Sequence, residues 1–383
     1  MTRELGIGML GYGFMGRAHA HAYRTLAHMV DPAIRPRLVG VAGRDVDAVA
    51  AATPQLGFEE AFGDWRQLVE DPRIDVFDNT GPNGLHAEPT VAAAQAGKHV
   101  VCEKPLGRTA AEALETWRAV EATGVVHMCA FNYRFVPAVR LARELIAGGE
   151  LGEIRHFRAR YLQDWLVDPA AAASWRLSRA EAGSGALGDL GAHVVDLARH
   201  LVGEIEAVSG ATRTFVRERG GRAVDVDDAF AAAAELAGGA IGTLEASRVA
   251  PGRRNALAFE VNGSKGSLAF DLEDLNRLRL YAEGSSPAPG AQGFRDVLVT
   301  DAGHPFAGQW WPPGHVLGWE HTFVHELHHL LTAIRDDGDV APHGATLEDG
   351  YRAAEVCDAI ARSSASGARE TVRYRTLDQE HTA

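Results

Sequence analysis

The sequence predicts an α/β chain in two parts. A parallel sheet crossed by helices comes first, and a second α/β domain with a mostly antiparallel sheet follows. Three observations predict it. Residues 1–130 alternate short apolar runs with helical stretches, the pattern of strands joined by crossover helices. Gly11, Gly13 and Gly16 form a G-x-G-x-x-G turn between the first apolar run and the first helical stretch. From residue 205 to 280 the pattern becomes strand after strand, with AGGA and NGSKGS turns that favour antiparallel hairpins.

The elements follow in order. Residues 5–10 read as a buried strand and RLVGVAG (37–43) as the second, with the helix VDAVAAAT after it. IDVFDNT (74–80) is a strand ending in a turn at Gly81-Pro82-Asn83-Gly84. LHAEPTVAAAQAG is a helix stopped by Gly97, KHVVCEK a strand, 110–122 a helix and 125–135 a further strand. A domain boundary is placed toward the end of this run: 1–130 for the first domain and 131–383 for the second, with the C-terminal helices packing back on the first. Residues 136–147 then read as a helix, GEIRHFRARYLQDW as a strand, and the stretch around 189–201 as a helix. A proline- and glycine-rich loop, 285–319, carries His304, Trp310, Trp311 and His315, and two helices close the chain at 320–335 and 346–363. Loops of that length usually cover a site or are disordered.

Composition excludes several classes. A net charge of -13 argues against nucleic acid or an anionic membrane surface as partner. Three scattered cysteines make neither a disulfide framework nor a zinc ribbon. Gly11 comes too early for a secretory signal to precede it, and no apolar run approaches the ~20 residues that span a bilayer. A cytoplasmic protein is expected.

The glycine turn has a chemical reason. Gly11 permits a tight turn, Gly13 lets a pyrophosphate approach the backbone, and Gly16 lets the helix pack on its strand. The helix start then offers N–H groups to phosphate. Lys104, in Cys102-Glu103-Lys104-Pro105, stands at a strand's carboxyl end, where open parallel sheets bind ligands. Asp189 and His193, spaced i, i+4, would share a helix face, and a histidine moves protons near neutrality while a carboxylate holds its tautomer. His325-Glu326-Leu327-His328-His329 fits H-E-x-x-H, the zinc-hydrolase helix. A zinc reading leaves the glycine turn unexplained, and no metal is expected. Asp225-Val226-Asp227-Asp228 reads as a solvated acidic strand entry rather than a cation site.

Together these residues resemble the glucose–fructose oxidoreductase / inositol dehydrogenase (Gfo/Idh/MocA) family. The resemblance rests on the glycine turn, on PNGLHAEPTVAAAQAGKHVVCEKPL, on the helix bearing Asp189 and His193, and on DGYRAAEVCDAI. It implies a Rossmann domain, then an α/β domain whose open sheet supports dimers or tetramers, and NAD(P)-dependent oxidation of a sugar or cyclitol hydroxyl. It makes Lys104, Asp189 and His193 the catalytic set. Cofactor candidates are Gly11, Gly13, Phe14, Met15, Gly16, Gly43, Arg44, Thr80, Pro82, Asn83, His86, Glu103 and Lys104. Gly43 and Arg44 stand where an acidic residue would hold an NAD ribose, with Asp45 just beyond; the family tips the choice between NAD and NADP toward NAD.

Substrate candidates, besides Lys104, Asp189 and His193, are Asn132, Arg134, Gln163, Asp164, Trp165, Trp175 and Arg176, polar groups and flat aromatics that suit a hydroxylated ring. Within the family, YLQDWLVDP, SWRLSRAEAGSGALGD and GHPFAGQWWP resemble members that act on an anhydrosugar, and that resemblance implies oxidation of an uncharged sugar or anhydrosugar to a ketone. The alternatives are a cyclitol dehydrogenase, a sugar reductase running the opposite way, a non-catalytic dinucleotide-binding regulator and, remotely, the zinc hydrolase.

Overall fold

The structure, a computed structural model, describes residues 3–30, 33–284 and 290–377. It divides into two compact units. The first takes in the described residues up to 135, 318–352 and those from 375 onward; the second takes in 136–317 and 353–374.

The first unit begins with β1 (Arg3–Leu10), α1 (Phe14–Met29), β2 (Ile34–Ala42), α2 (Val46–Leu56), β3 (Glu60–Phe62), α3 (Arg66–Glu70) and β4 (Val76–Asn79). α4 (Ala87–Gln95), β5 (His99–Glu103), α5 (Ala110–Glu121) and β6 (His127–Ala130) follow. The six strands pair in parallel in the order β3-β2-β1-β4-β5-β6. That is a Rossmann sheet, whose order reverses at β1/β4 and leaves a crevice for a dinucleotide at the strands' carboxyl ends. Ile7, Met9, Val39, Val41, Val76, Phe77, Val100 and Val101 are all buried, as continuous apolar strands covered on both faces require. The strand expected over 125–135 is shorter. Only His127–Ala130 pairs, and Asn132–Phe135 closes into a 3₁₀ turn.

The second unit holds α6 (Pro137–Ala147), β7 (Ile154–Leu162), the short α7 (Arg179–Ala182) and α8 (Ala192–Leu201). Its later strands are β8 (Ile205–Arg213), β9 (Glu218–Arg219), β10 (Arg222–Ala223), β11 (Ala229–Leu236), β12 (Ile241–Ser247), β13 (Ala256–Gly263), β14 (Gly266–Asp271), β15 (Arg277–Ala282) and β16 (Arg295–Leu298). The chain closes with α9 (His321–Arg335), α10 (Leu347–Ser366) and β17 (Glu370–Thr371). The large sheet runs β16-β15-β14-β13-β7-β12-β11-β8-β17. Every pair in it is antiparallel except β7 with β12. β11 and β12 alternate strictly: Phe230, Ala232, Ala234 and Leu244 are buried while their neighbours face out, the mark of a sheet with one covered face.

Two expectations change. The 285–319 stretch is not all loop, because β16 adds a strand to the sheet edge; its first residues, 285–289, lie outside the described residues. Asp227 and Asp228 are not solvated. Both are buried and accept backbone N–H bonds, Asp227 from Gly185 (2.8 Å) and Leu187 (2.7 Å), Asp228 from Phe215 (2.6 Å) and Val216 (3.0 Å).

Candidate active site

In the first unit, the site residues collect at the carboxyl ends of β1, β2, β4 and β5. Gly11 has φ +104°, and a Cβ there would meet the Thr80 carbonyl oxygen at 2.7 Å; a Cβ on Gly16 would meet the Gly11 carbonyl oxygen at 2.3 Å. Both positions therefore exclude a side chain. At Gly13 a Cβ would meet nothing within 4 Å. Gly13 is also the N-cap of α1, with no side-chain cap and no acidic residue in the first turn. The helix start thus has open space before it and N–H groups with no side chain serving them, which fits a dinucleotide pyrophosphate.

Around this turn the remaining cofactor candidates take distinct places. Phe14 is 68% exposed and stacks on Trp319 at 5.5 Å, and Met15 is half-buried beside it. The Thr80 hydroxyl donates to the Leu10 carbonyl (2.9 Å), locking β4 to the turn. Pro82 and Asn83 start a 3₁₀ turn. His86 is buried, its Nδ1 2.6 Å from the Pro105 carbonyl and its Nε2 2.9 Å from the Gly81 carbonyl. It ties the two loops flanking the crevice. Glu103 is buried, and Lys104 after it is half-buried, with a cis bond to Pro105.

At the ribose end, a Cβ on Gly43 would lie 2.1 Å from the Tyr12 ring. The Asp45 carboxylate is used as the α2 cap, accepting from Ala48 N at 3.0 Å, while Arg44 is exposed.

The polar atoms of two substrate candidates are engaged inside the first unit. The buried Asn132 amide donates to Thr322 Oγ1 (2.9 Å). The buried Arg134 guanidinium meets the Gly344 carbonyl at 3.3 Å and the Asp349 carboxylate at 3.4 Å. The H-E-x-x-H histidines are similarly engaged on α9. His325 Nδ1 bonds the Phe135 carbonyl (3.0 Å) and His329 Nε2 the Val340 carbonyl (2.7 Å). Burial pushes His325 down to about 3.

In the second unit, the site is built at the carboxyl ends of the parallel pair β7 and β12. Asp189 lies in a π-type turn, Leu187–Gly191, that leads into α8, rather than in the α-helix its spacing predicted. Asp227 holds this turn through its two backbone bonds. Arg248, just past β12 and 1% exposed, donates from Nη2 to Asp189 Oδ2 at 2.9 Å. Its guanidinium also faces the Trp165 ring at 5.3 Å. His193 is buried, with the Tyr161 ring edge-on at 5.8 Å. Asn255 Oδ1 accepts from both Tyr161 Oη and Gln163 Nε2, each at 2.7 Å, and Trp165 Nε1 donates to Gln163 Oε1 at 2.9 Å. The half-buried Arg176 stacks on Trp175 at 4.4 Å. Asp164 pairs with Arg254 at 3.2 Å.

Asp189, His193, Gln163 and Trp165 are thus joined by residues the sequence reading missed: Arg248, Tyr161 and Asn255. The signal for Arg248 was a lone arginine closing an otherwise apolar alternation, LEASRV.

The Rossmann order and the open phosphate cradle agree with the family models. The oxidoreductase family, NAD-binding Rossmann fold, matches residues 5–131, and the GFO/IDH/MocA C-terminal domain matches 139–269. Levoglucosan dehydrogenase of Pseudarthrobacter phenanthrenivorans is 42% identical over 95% of this chain and 97% of its own. The chain belongs to the Gfo/Idh/MocA oxidoreductase family. Among solved structures of this family, levoglucosan dehydrogenase in complex with NADH and levoglucosan superposes with a TM-score of 0.93 at 41% identity, covering 97% of this chain and 100% of that one. Myo-inositol 2-dehydrogenase of Thermotoga maritima is 30% identical over 69% of this chain and 75% of its own. As a Gfo/Idh/MocA member the chain is an oxidoreductase with an NAD-binding Rossmann domain. The zinc-hydrolase alternative finds no support.

Proposed function

We propose that this enzyme oxidises a secondary hydroxyl of an uncharged anhydrosugar of the levoglucosan kind to a ketone. The observation that carries the reading is the 42% identity to levoglucosan dehydrogenase across 95% of the chain. Such an oxidation removes a hydride from carbon and a proton from its hydroxyl. Bound NAD supplies the hydride acceptor; the chain's residues manage the proton and the charge. His193 takes the hydroxyl proton, and the Lys104 ammonium stabilises the oxygen as it becomes negative. Asp189, pinned by Arg248, orients the site. Trp165 offers a flat face to the ring's C–H groups, and Gln163, Trp175 and Arg176 complete the substrate contacts.

The remaining parts of the proposal are coarser. Residues 1–130 carry the cofactor, while 131–383 carry substrate recognition and self-association into a homodimer or homotetramer in the cytoplasm. Among the described residues no helix is long and apolar enough to cross a membrane. A cyclitol is the second reading, favoured by the likeness to myo-inositol 2-dehydrogenase.

The test is a cofactor-reduction screen of anhydrosugars, monosaccharides, inositols and sugar phosphates side by side. The highest kcat/KM is expected on a neutral anhydrosugar. Preference for a phosphorylated or nucleotide-linked sugar rejects the reading, and preference for an inositol selects the second one.

A further inference from the structure

We propose that His19 is a positioning residue for Lys104, acting as a buried cation through Glu103. This rests on the reading of Lys104 as catalytic. His19 lies on α1, just after the glycine turn, and is 0% exposed. Its Nδ1 stands 2.9 Å and 3.1 Å from the two oxygens of Asp78 on β4, and its Nε2 stands 3.3 Å from Glu103 Oε1 on β5. Ionised carboxylate oxygens only accept hydrogen bonds. Between two carboxylates that both accept, each ring nitrogen carries hydrogen, and His19 acts in this proposal as an imidazolium. Burial opposes that charge, but the two carboxylates outweigh it and hold His19 well above its usual range.

The other oxygen of Glu103 reaches the catalytic segment. Oε2 accepts the backbone N–H of Lys104 at 3.0 Å. One buried cation thus ties together the helix that follows the phosphate cradle, the strand before the Thr80 turn, and the residue beside Lys104. Further titratable groups face the trio: the buried Cys102 thiol of β5, pushed up by burial, feels both Glu103 and Asp78. Tyr23, on α1, is pushed well up by burial and by Asp78, and also feels Glu326 of α9; His86, which bonds the Pro105 carbonyl, feels both Glu103 and Lys104.

Packing alone does not call for this trio. Apolar side chains of similar volume usually hold buried elements together as well as ions do. An ionised trio adds direction: it fixes which oxygen of Glu103 faces His19 and which faces Lys104, and so fixes the backbone from which the Lys104 ammonium extends. A misplacement of about 1 Å in a reacting group costs on the order of 100-fold in rate.

The experiment is a double-mutant cycle on the full-length enzyme with its sugar. His19→Asn keeps an amide where Nδ1 stands and loses the reach to Glu103; His19→Gln keeps the reach to Glu103 and loses Asp78. His19→Asn should lower kcat by ~10-fold or more, with sugar KM and NADH affinity (by fluorescence quenching) within about threefold. His19→Gln should recover part of the loss. In a Lys104→Ala background His19→Asn should change kcat less than about twofold, because no ammonium remains to be positioned. An equal, additive loss in that background overturns the positioning role and leaves Lys104 catalytic. So does a His19→Asn enzyme with parental kcat. A Lys104→Ala enzyme with near-normal turnover instead overturns the reading of Lys104 itself. If His19→Asn does not fold, Glu103→Gln enters the same cycle, and non-additivity with Lys104→Ala is again the expected result.

Discussion

Removing the Arg248 guanidinium tests how the proposed substrate-contacting residues of the second unit are assembled. The side chain is 1% exposed, and its Nη2 donates to Asp189 at 2.9 Å, while Asp189 keeps 27% of its own surface. In Arg248→Ala, water can reach the partly exposed carboxylate, so the main loss falls on orientation rather than folding. A hydrogen bond between charged groups is worth about 1.5–3 kcal/mol. At about 1.4 kcal/mol per tenfold, kcat/KM should fall by roughly 10- to 150-fold. The lost contact with the Trp165 ring, which is 42% exposed, adds about 0.5–1 kcal/mol, or a two- to fivefold rise in sugar KM. Arg248→Lys keeps the charge but not the planar fork, and should fall between parent and alanine. The assay is initial-rate NADH formation, with NADH affinity and melting temperature as controls. An Arg248→Ala enzyme that melts like the parent and retains kcat/KM within threefold refutes the assignment of Arg248 as the group that orients Asp189.

Further expectations concern both units. Lys104→Ala and His193→Ala should each lose at least ~100-fold in kcat with little change in NADH affinity; near-parental turnover in either removes it from the catalytic set. Gly16→Ala forces a Cβ to within 2.3 Å of the Gly11 carbonyl oxygen, so NADH affinity by fluorescence titration should drop by more than tenfold (~1.4 kcal/mol); unchanged affinity contradicts the cradle. NAD should be preferred to NADP, and Arg44→Ala should cost the NADP reaction more than the NAD reaction; a kcat/KM ratio tenfold in favour of NADP refutes this. His325 stays neutral in the folded chain down to about pH 3, whereas an unfolded histidine takes up its proton near 6.5. Stability should therefore fall as pH drops from about 6.5 toward 3, by up to ~1.4 kcal/mol per unit. His325→Asn, which keeps an amide donor toward the Phe135 carbonyl, should flatten that slope in urea titrations and remain active in the presence of a chelator; an unchanged slope, or zinc-dependent turnover, counts against the account.

The fold was legible because its two halves obey different periodicities. β1, β5, the 38–42 half of β2 and the start of β4 are largely buried on both faces and read as apolar runs, while β11 and β12 alternate. What misled the reading was local. NYRF follows the strand HMCA after Phe131 and keeps two aromatics, yet it coils into a 3₁₀ turn whose Asn132 and Arg134 are drawn to Thr322, Gly344 and Asp349, far away in sequence. No local pattern reports such partners. β16 was hidden for the opposite reason: its strand is short, charged and at a sheet edge, where polarity is normal.

The candidate site is legible in the sequence where a phosphate cradle demands an irregular backbone and obscure where one buried charge holds another. Glycines spaced for a phosphate and a lysine at a strand end announce themselves, because no packing rule asks for them. Arg248, Asp78 and His19 do not, since a single arginine, aspartate or histidine in an apolar segment has many uses. Yet each breaks its segment's pattern: Asp78 interrupts a strand whose four residues are all buried, and His19 sits on the covered side of α1. An unpaired buried charge is too costly to persist. Each such break therefore required a partner of opposite sign in the fold, and in both units that partner leads to a proposed catalytic residue: Arg248 to Asp189, and His19 through Glu103 to Lys104.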